Sequence, residues 1–271
     1  VPLSPGARNL SPSGETISTI APNGLRLKAG LVYRQISNEF DVRVSIDRFG
    51  NRVPEPAGNP EIVFVGDSFT FGHGLSDQDT YVYIYCERTG KSCANLGRSG
   101  TGTGIQLNVL EHYLTTEGWR PKIVKLFMLA MTGALLPGND LLDNYWYGGE
   151  SSANAEGLTP PDRSEYEKSG IFQTQALRQF LIQRSNLVRF VYFNIGPWVR
   201  NVFSPEPDAK ILDRALSNTA ILLGRLQKLA SQYGFDYQIY VLHPMQDILR
   251  GTSKETIAIL RQLARPGHIV S

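Results

Sequence analysis

Four consecutive apolar residues, Ile62-Val63-Phe64-Val65, run into Gly66 and then directly into Asp67-Ser68. A short run rich in β-branched residues with no polar alternation is the pattern of a strand covered on both faces, and such strands belong to parallel sheets flanked by helices. The chain that follows repeats this grammar. A helical stretch over Thr80–Thr89 leads to a short strand near Ser92–Leu96, and Ile105, Val109, Leu110, Tyr113 and Leu114 share one face of the next helix. Ile123–Leu129 reads as the third strand. Ile211, Ala215, Leu222, Leu226 and Leu229 mark a long amphipathic helix that stops at Gly234, where glycine suits the left-handed cap. Tyr237–Leu242 is a fourth strand, Thr252 and Glu255 have capping-box spacing ahead of another helix, and the chain ends on what reads as the start of a fifth strand from His268. This alternation predicts an α/β fold: a three-layer α/β/α sandwich on a central parallel sheet, with its ligand crevice at the carboxyl ends of the strands.

Two stretches fall outside that repeat. Residues 1–58 read as an N-terminal extension: 1–30 are rich in Pro, Gly, Ser and Asn and suggest an arm, while Phe40, Val42, Val44 and Ile46 alternate with polar residues as a half-buried strand does. Residues 145–208 read as an insertion in the main domain, which spans 59–271, with one short helix near Thr174–Gln183. A length of 271 residues suits this single domain with appendages. No repeat of about 20 to 50 residues is visible, which argues against a solenoid or propeller.

Charge narrows the partners. Lys plus Arg number 27 against 25 for Asp plus Glu, so no strong field draws nucleic acid or an anionic membrane, and a neutral or weakly charged small molecule or glycan ester fits better. Apolar runs fall short of the ~18 to 20 residues that cross a bilayer. The sequence begins on Val1 and reads as a mature or trimmed form, so that any export signal or membrane anchor would lie outside it, and a periplasmic or secreted bacterial location is the expectation. Cys86 and Cys93 are the two cysteines; their spacing permits a disulfide and equally permits two small buried hydrophobes. It is not a zinc pattern, and no metal is expected.

The chemistry concentrates in Gly66-Asp67-Ser68-Phe69-Thr70-Phe71-Gly72. A serine at the carboxyl edge of a buried strand projects into the crevice, and backbone N–H groups of a following helix can stabilise an oxyanion. Taken alone, the heptapeptide is also what an ordinary capped strand-to-helix turn looks like. Two further blocks follow their own strands in order: Asn95-Leu96-Gly97-Arg98-Ser99-Gly100, and Gly138-Asn139-Asp140-Leu141-Leu142-Asp143-Asn144. The glycines of the second block invite comparison with a dinucleotide loop, but the G-x-G-x-x-G spacing is imperfect and no acidic residue ends a suitable next strand, so no cofactor is expected.

Together the three blocks resemble the SGNH (GDSL-like) hydrolase and acyltransferase family, whose serine sits in a Gly-Asp-Ser block after the first strand rather than in a G-x-S-x-G elbow. Asn23-Gly24-Leu25-Arg26 and Arg48-Phe49-Gly50 also look like bacterial members that carry an N-terminal extension. The resemblance implies a flavodoxin-like fold in which Ser68 attacks an ester carbonyl. Its own N–H, the N–H of Gly100 and the side-chain amide of Asn139 would then form the oxyanion hole. Gly97 competes with Gly100 for that role, and Asp67 is expected to hold the turn. The third block departs from the family pattern, with Pro137 at the place of a glycine and extra residues 131–136 ahead of it.

A second departure concerns the base. A serine needs a positioned proton acceptor, normally histidine; the family's comes from an Asp-x-x-His block near the C-terminus, and no such block occurs here. The sequence reads as stopping before that loop, with His268 and then His243 as alternative bases, while His73 and His112 suit structural or solvated roles. The leading expectation is a serine-dependent carboxylic-ester hydrolase, with an acetylated glycan as substrate suggested by Trp146, Tyr147 and Trp198 in the insertion. Acyl transfer to a polysaccharide, and a carbohydrate-binding protein that has lost its base, are the alternatives.

Overall fold

The computed structural model of the chain describes residues 8–13, 26–130, 140–141, 144, 209–243, 248, 252–263 and 269–270. The main sheet has five parallel strands: β4 (Ile62–Val65), β5 (Cys93–Asn95), β6 (Ile123–Leu129), β7 (Asp236–Leu242) and β8 (Ile269–Val270), in the order β5-β4-β6-β7-β8. All four residues of β4 are buried, as its uninterrupted apolar run requires. Helix α3 (Thr103–Thr115) and the long helix α4 (Ala209–Tyr233) cover the face that carries Val63, Val65, Val124, Leu126, Met128 and Ile239. Helix α2 (Tyr81–Thr89) covers the other, against Ile62 and Phe64. These are the three layers of an α/β/α sandwich. Its strand order is the flavodoxin-like one, so the chain leaves β4 toward one neighbour and later returns to the other; the crevice at this switch opens at the carboxyl end of β4.

Helix boundaries follow local chemistry. Thr80 caps α2 by accepting from the Tyr83 N–H, and Gly234, at φ +72°, ends α4 in the left-handed region. Helix α5 (Thr252–Leu263) starts at the capping-box threonine, and Ile269–Val270 pair with β7 as the fifth strand. The 145–208 insertion and its helix near 174–183 lie outside the described residues.

The N-terminal segment packs on the main domain. β1 (Arg8–Leu10), β2 (Val32–Ile36) and β3 (Asp41–Ser45) form an antiparallel sheet of their own, and Leu27, Tyr33, Val44 and Ile46 pack with Phe71 from the main domain. The segment is fastened to α3 as well: the Tyr113 hydroxyl donates to the Phe49 carbonyl at 2.6 Å, Phe49 meets Trp119 edge-on at 5.3 Å, and Arg26 pairs with Glu117 at 2.7 Å.

Cys86 and Cys93 form a disulfide, Cα to Cα 6.1 Å, that ties α2 to β5. Closing even a short loop restricts the unfolded chain. Replacing Cys86 by Ser should lower stability by about 2 kcal/mol in a urea titration of the oxidised protein, and a reductant should bring the parent protein to nearly the same midpoint.

Candidate active site

β4 ends at Val65, and after Gly66 and Asp67 the chain turns into the single-turn helix α1 (Ser68–Phe71). Asp67 is its cap, accepting the Phe69 N–H at 2.8 Å. Burial raises the Asp67 carboxyl above its usual range, partly offset by that hydrogen bond. The carboxylate is engaged in holding the turn, which is the role expected of it. Ser68 is the first helical residue, 9% exposed, and its carbonyl accepts from the N–H groups of Gly72 and His73, both at 3.0 Å. Among the described residues, no histidine hydrogen-bonds to the Ser68 hydroxyl.

Two glycines let this turn exist. A Cβ on Gly66 would stand 2.1 Å from the Thr70 Oγ1 and 3.1 Å from the Phe127 carbonyl oxygen. A Cβ on Gly97 would stand 2.2 Å from the backbone nitrogen of Phe71. The loop after β5 therefore lies directly on the backbone of α1. It is held there by Asn95, whose Nδ2 donates to the Thr70 carbonyl at 2.9 Å while its Oδ1 accepts the Gly97 N–H at 2.9 Å. The Arg98 N–H donates to the Gly66 carbonyl at 2.9 Å, extending the pairing of the two loops past the strands themselves.

These contacts separate the two candidate glycines of the second block. Gly97 is a buried packing glycine. Gly100 is exposed, has φ +74° and faces open space, in a turn closed by the Thr101 hydroxyl donating to the Arg98 carbonyl at 2.7 Å. The third block is described only at Asp140, Leu141 and Asn144; Asn139 lies outside the described residues. Asp140 is buried and accepts from the Leu129 N–H at 2.6 Å, at the carboxyl end of β6, and from Gln106 of α3 at 3.2 Å. Asn144 donates to the Thr219 hydroxyl of α4 at 3.0 Å. The third block is thus moored on the same edge of the sheet as the first two.

Of the histidines, His73 packs edge-on against Phe40 at 5.4 Å, and burial, with Arg52 nearby, holds its pKa below the ordinary value. His112 shares a 3.3 Å hydrogen bond with Thr116 on α3. His243 directly follows β7, two strands and roughly 10 Å from β4 in the sheet. His268 lies outside the described residues; β8, which follows it, is three strands from β4.

No family model matches the chain, and no curated protein matches it. Solved structures similar to it include esterases and lipolytic proteins, among them members of the G-D-S-L and SGNH-hydrolase families. One is a lipolytic protein of the G-D-S-L family from Desulfitobacterium hafniense DCB-2, 11% identical, covering 67% of this chain and 77% of that one, with a TM-score of 0.27. A second is a family two carbohydrate esterase from Clostridium thermocellum, 12% identical over 78% of this chain and 66% of that one, TM-score 0.27. A third is AlinE4, an SGNH-hydrolase family esterase, 17% identical over 77% of this chain and 99% of that one, TM-score 0.27. The fold assignment rests on strand order and layering in this chain and not on these likenesses.

The second block is also tied to the N-terminal segment. Arg98, itself buried, donates to the Gly97 carbonyl and to Asn51 Oδ1, both at 2.9 Å. Asp47, on the same N-terminal turn, accepts from the N–H groups of Phe49 and Asn51. Burial pushes its carboxyl up to about 6, against the lowering effect of those hydrogen bonds. Periodicity carries no signal for the Arg98–Asn51 contact, whose partners lie 47 residues apart in the sequence.

Two predictions follow from these contacts. Gly97→Ala should cost about 2 to 3 kcal/mol through overpacking, whereas Gly100→Ala should cost only about 1 kcal/mol, from its left-handed backbone; denaturant midpoints compare them. The folded state holds the Asp47 proton more tightly than the unfolded chain, whose carboxyl has the ordinary value of 3.8. Its contribution is therefore whole below about pH 4 and lost as pH rises through about 6. Asp47→Asn should flatten that part of the curve when melting temperature is measured against pH.

Proposed function

We propose that this protein is a serine-dependent carboxylic-ester hydrolase working through an acyl-Ser68 intermediate. The observation that carries the reading is the placement of Ser68: it opens a one-turn helix at the carboxyl end of β4, at the strand-order switch, with the second block strapped along the same turn. Resemblance of the three blocks to the SGNH pattern supports the same reading.

In this mechanism the Ser68 Oγ adds to the ester carbonyl carbon as its proton passes to a base. The tetrahedral oxyanion is met by the N–H groups of Ser68 and Gly100 and by the amide of Asn139, neutral donors whose loss singly costs about 10² to 10³ in rate. Collapse expels the alcohol, which takes the proton back from the base. Water, deprotonated by the same base, then releases the acid and frees Ser68. His243 and His268 are the candidate bases within the sequence. If both His243→Ala and His268→Ala react at the parental rate, neither histidine is the base.

An acetylated glycan is the proposed substrate, on the strength of Trp146, Tyr147 and Trp198. The Cys86–Cys93 bond supports an oxidising, extracytoplasmic compartment. Transfer of the acyl group to a glycan hydroxyl would use the same apparatus and differ only in the acceptor that reaches the acyl-enzyme. The missing Asp-x-x-His favours one other reading, glycan binding without turnover.

A fluorophosphonate probe separates these readings. Labelling of the parent protein that disappears in Ser68→Ala is the expected result for the hydrolase and transferase. An unlabelled parent protein that still binds acetylated glycan would leave the binding protein. Partition of product between free acid and acylated acceptor, measured with added glycan, distinguishes hydrolysis from transfer.

A further inference from the structure

We propose that Arg52, contributed by the N-terminal segment, is a positioning residue for Ser68; this rests on Ser68 being the nucleophile, as argued above. Arg52 is fully buried, and each of its five guanidinium N–H groups has an acceptor. Nη1 donates to the carbonyls of Phe71 at 2.9 Å and Gly72 at 2.5 Å. Nη2 donates to the Leu75 carbonyl at 2.5 Å and to Asp77 Oδ1 at 3.3 Å, and Nε donates to the same carboxylate oxygen at 3.4 Å. The guanidinium also lies over the Phe71 ring, 5.0 Å from its centroid. Burial lowers the Arg52 pKa and the Asp77 carboxylate, 3.3 Å away, opposes that shift.

The acceptors identify the task. Phe71 is the last residue of α1 and Gly72 its C-cap, so Arg52 satisfies carbonyls that a helix leaves without internal partners, and places a cation at the negative end of the turn. One helical turn does not persist unaided, since its nucleation is unfavourable. Its opening residue is Ser68, and the Ser68 carbonyl is itself bonded to the N–H of Gly72. A shift at the Arg52 end therefore passes through a single hydrogen-bonded ring to the reacting hydroxyl. The backbone of Arg52 is fixed in turn, as a bridge partner of both Ile46 and Asn95. Lysine cannot replace it: three donors from one nitrogen do not span three separate carbonyls and a carboxylate.

The test is the rate of Ser68 labelling by a fluorophosphonate, resolved into probe affinity and the rate constant of the bound step. Arg52→Lys should slow the bound step by about ten- to a hundredfold with probe affinity unchanged, as expected for a small displacement of a reacting group. Arg52→Ala should be at least as slow and should recover partly with added guanidinium at concentrations well below denaturing, but not with an equal concentration of sodium chloride. Asp77→Ala, which leaves Arg52 its three carbonyls, should slow the step by about threefold or more. Leu229→Ala, on the core-facing side of α4, supplies a destabilised control that should label at the parental rate. Folded Arg52→Lys protein that labels like the parent would overturn the proposal. So would a parental rate in Asp77→Ala if neither Arg52 variant folds, or equal slowing in Leu229→Ala. A parent protein that does not label at all would instead remove the hydrolase reading, and this role with it.

Discussion

The contact between the loop after β5 and the backbone of α1 is the constraint from which the rest of the carboxyl edge follows. At Gly97 there is no room for a single carbon between the loop and Phe71. Main chain meets main chain there, and the adjacent polar groups must find partners within the protein because water is excluded. Asn95 answers on one side, between Thr70 and Gly97, and Arg98 on the other, between Gly97 and Asn51. Gly66 adds a similar close approach against Thr70. A turn built this way has little freedom, which is what a nucleophile needs if its geometry is to be fixed before substrate arrives.

Such a turn cannot be built by the parallel sheet alone. Strands β4 and β5 bring two loops side by side, but the carbonyls at the far end of α1 find their side-chain partner outside the sheet, in Arg52. The N-terminal segment fills that position. Its small antiparallel sheet packs on Phe71, Gln35 accepts the Gly74 N–H at 2.8 Å, and Arg52 occupies the interior of the loop that follows α1. What composition suggests is an appendage packs, between Leu27 and Arg52, against the turn that Ser68 opens.

Much of the fold is legible in the sequence. The apolar run of β4, the face of α3 and the stop of α4 at Gly234 are set by neighbours a few residues away, so periodicity and caps report them. β2 shows where that fails. Val32-Tyr33-Arg34-Gln35-Ile36 does not alternate cleanly, and its buried polar residue, Gln35, accepts from Gly74 of the main domain and donates to Asn9 of β1. Arg52 is the stronger case: an arginine after a Gly-Asn turn reads as a solvated charge, and its burial is tolerable only because distant residues supply every acceptor.

The sequence by itself determined the order of strands and helices, the parallel character of the sheet and the placing of Ser68 at a strand-to-helix turn, because each depends on the side chains of one short stretch. Only the tertiary structure decided that Cys86 meets Cys93, that Gly97 packs while Gly100 stays open, and that Arg52 closes the far end of the serine turn. Cysteine spacing leaves pairing and separation equally open, while the Gly97 and Arg52 contacts join segments too far apart to leave a trace in local pattern and are fixed by close packing and by the cost of leaving a buried polar group unpaired.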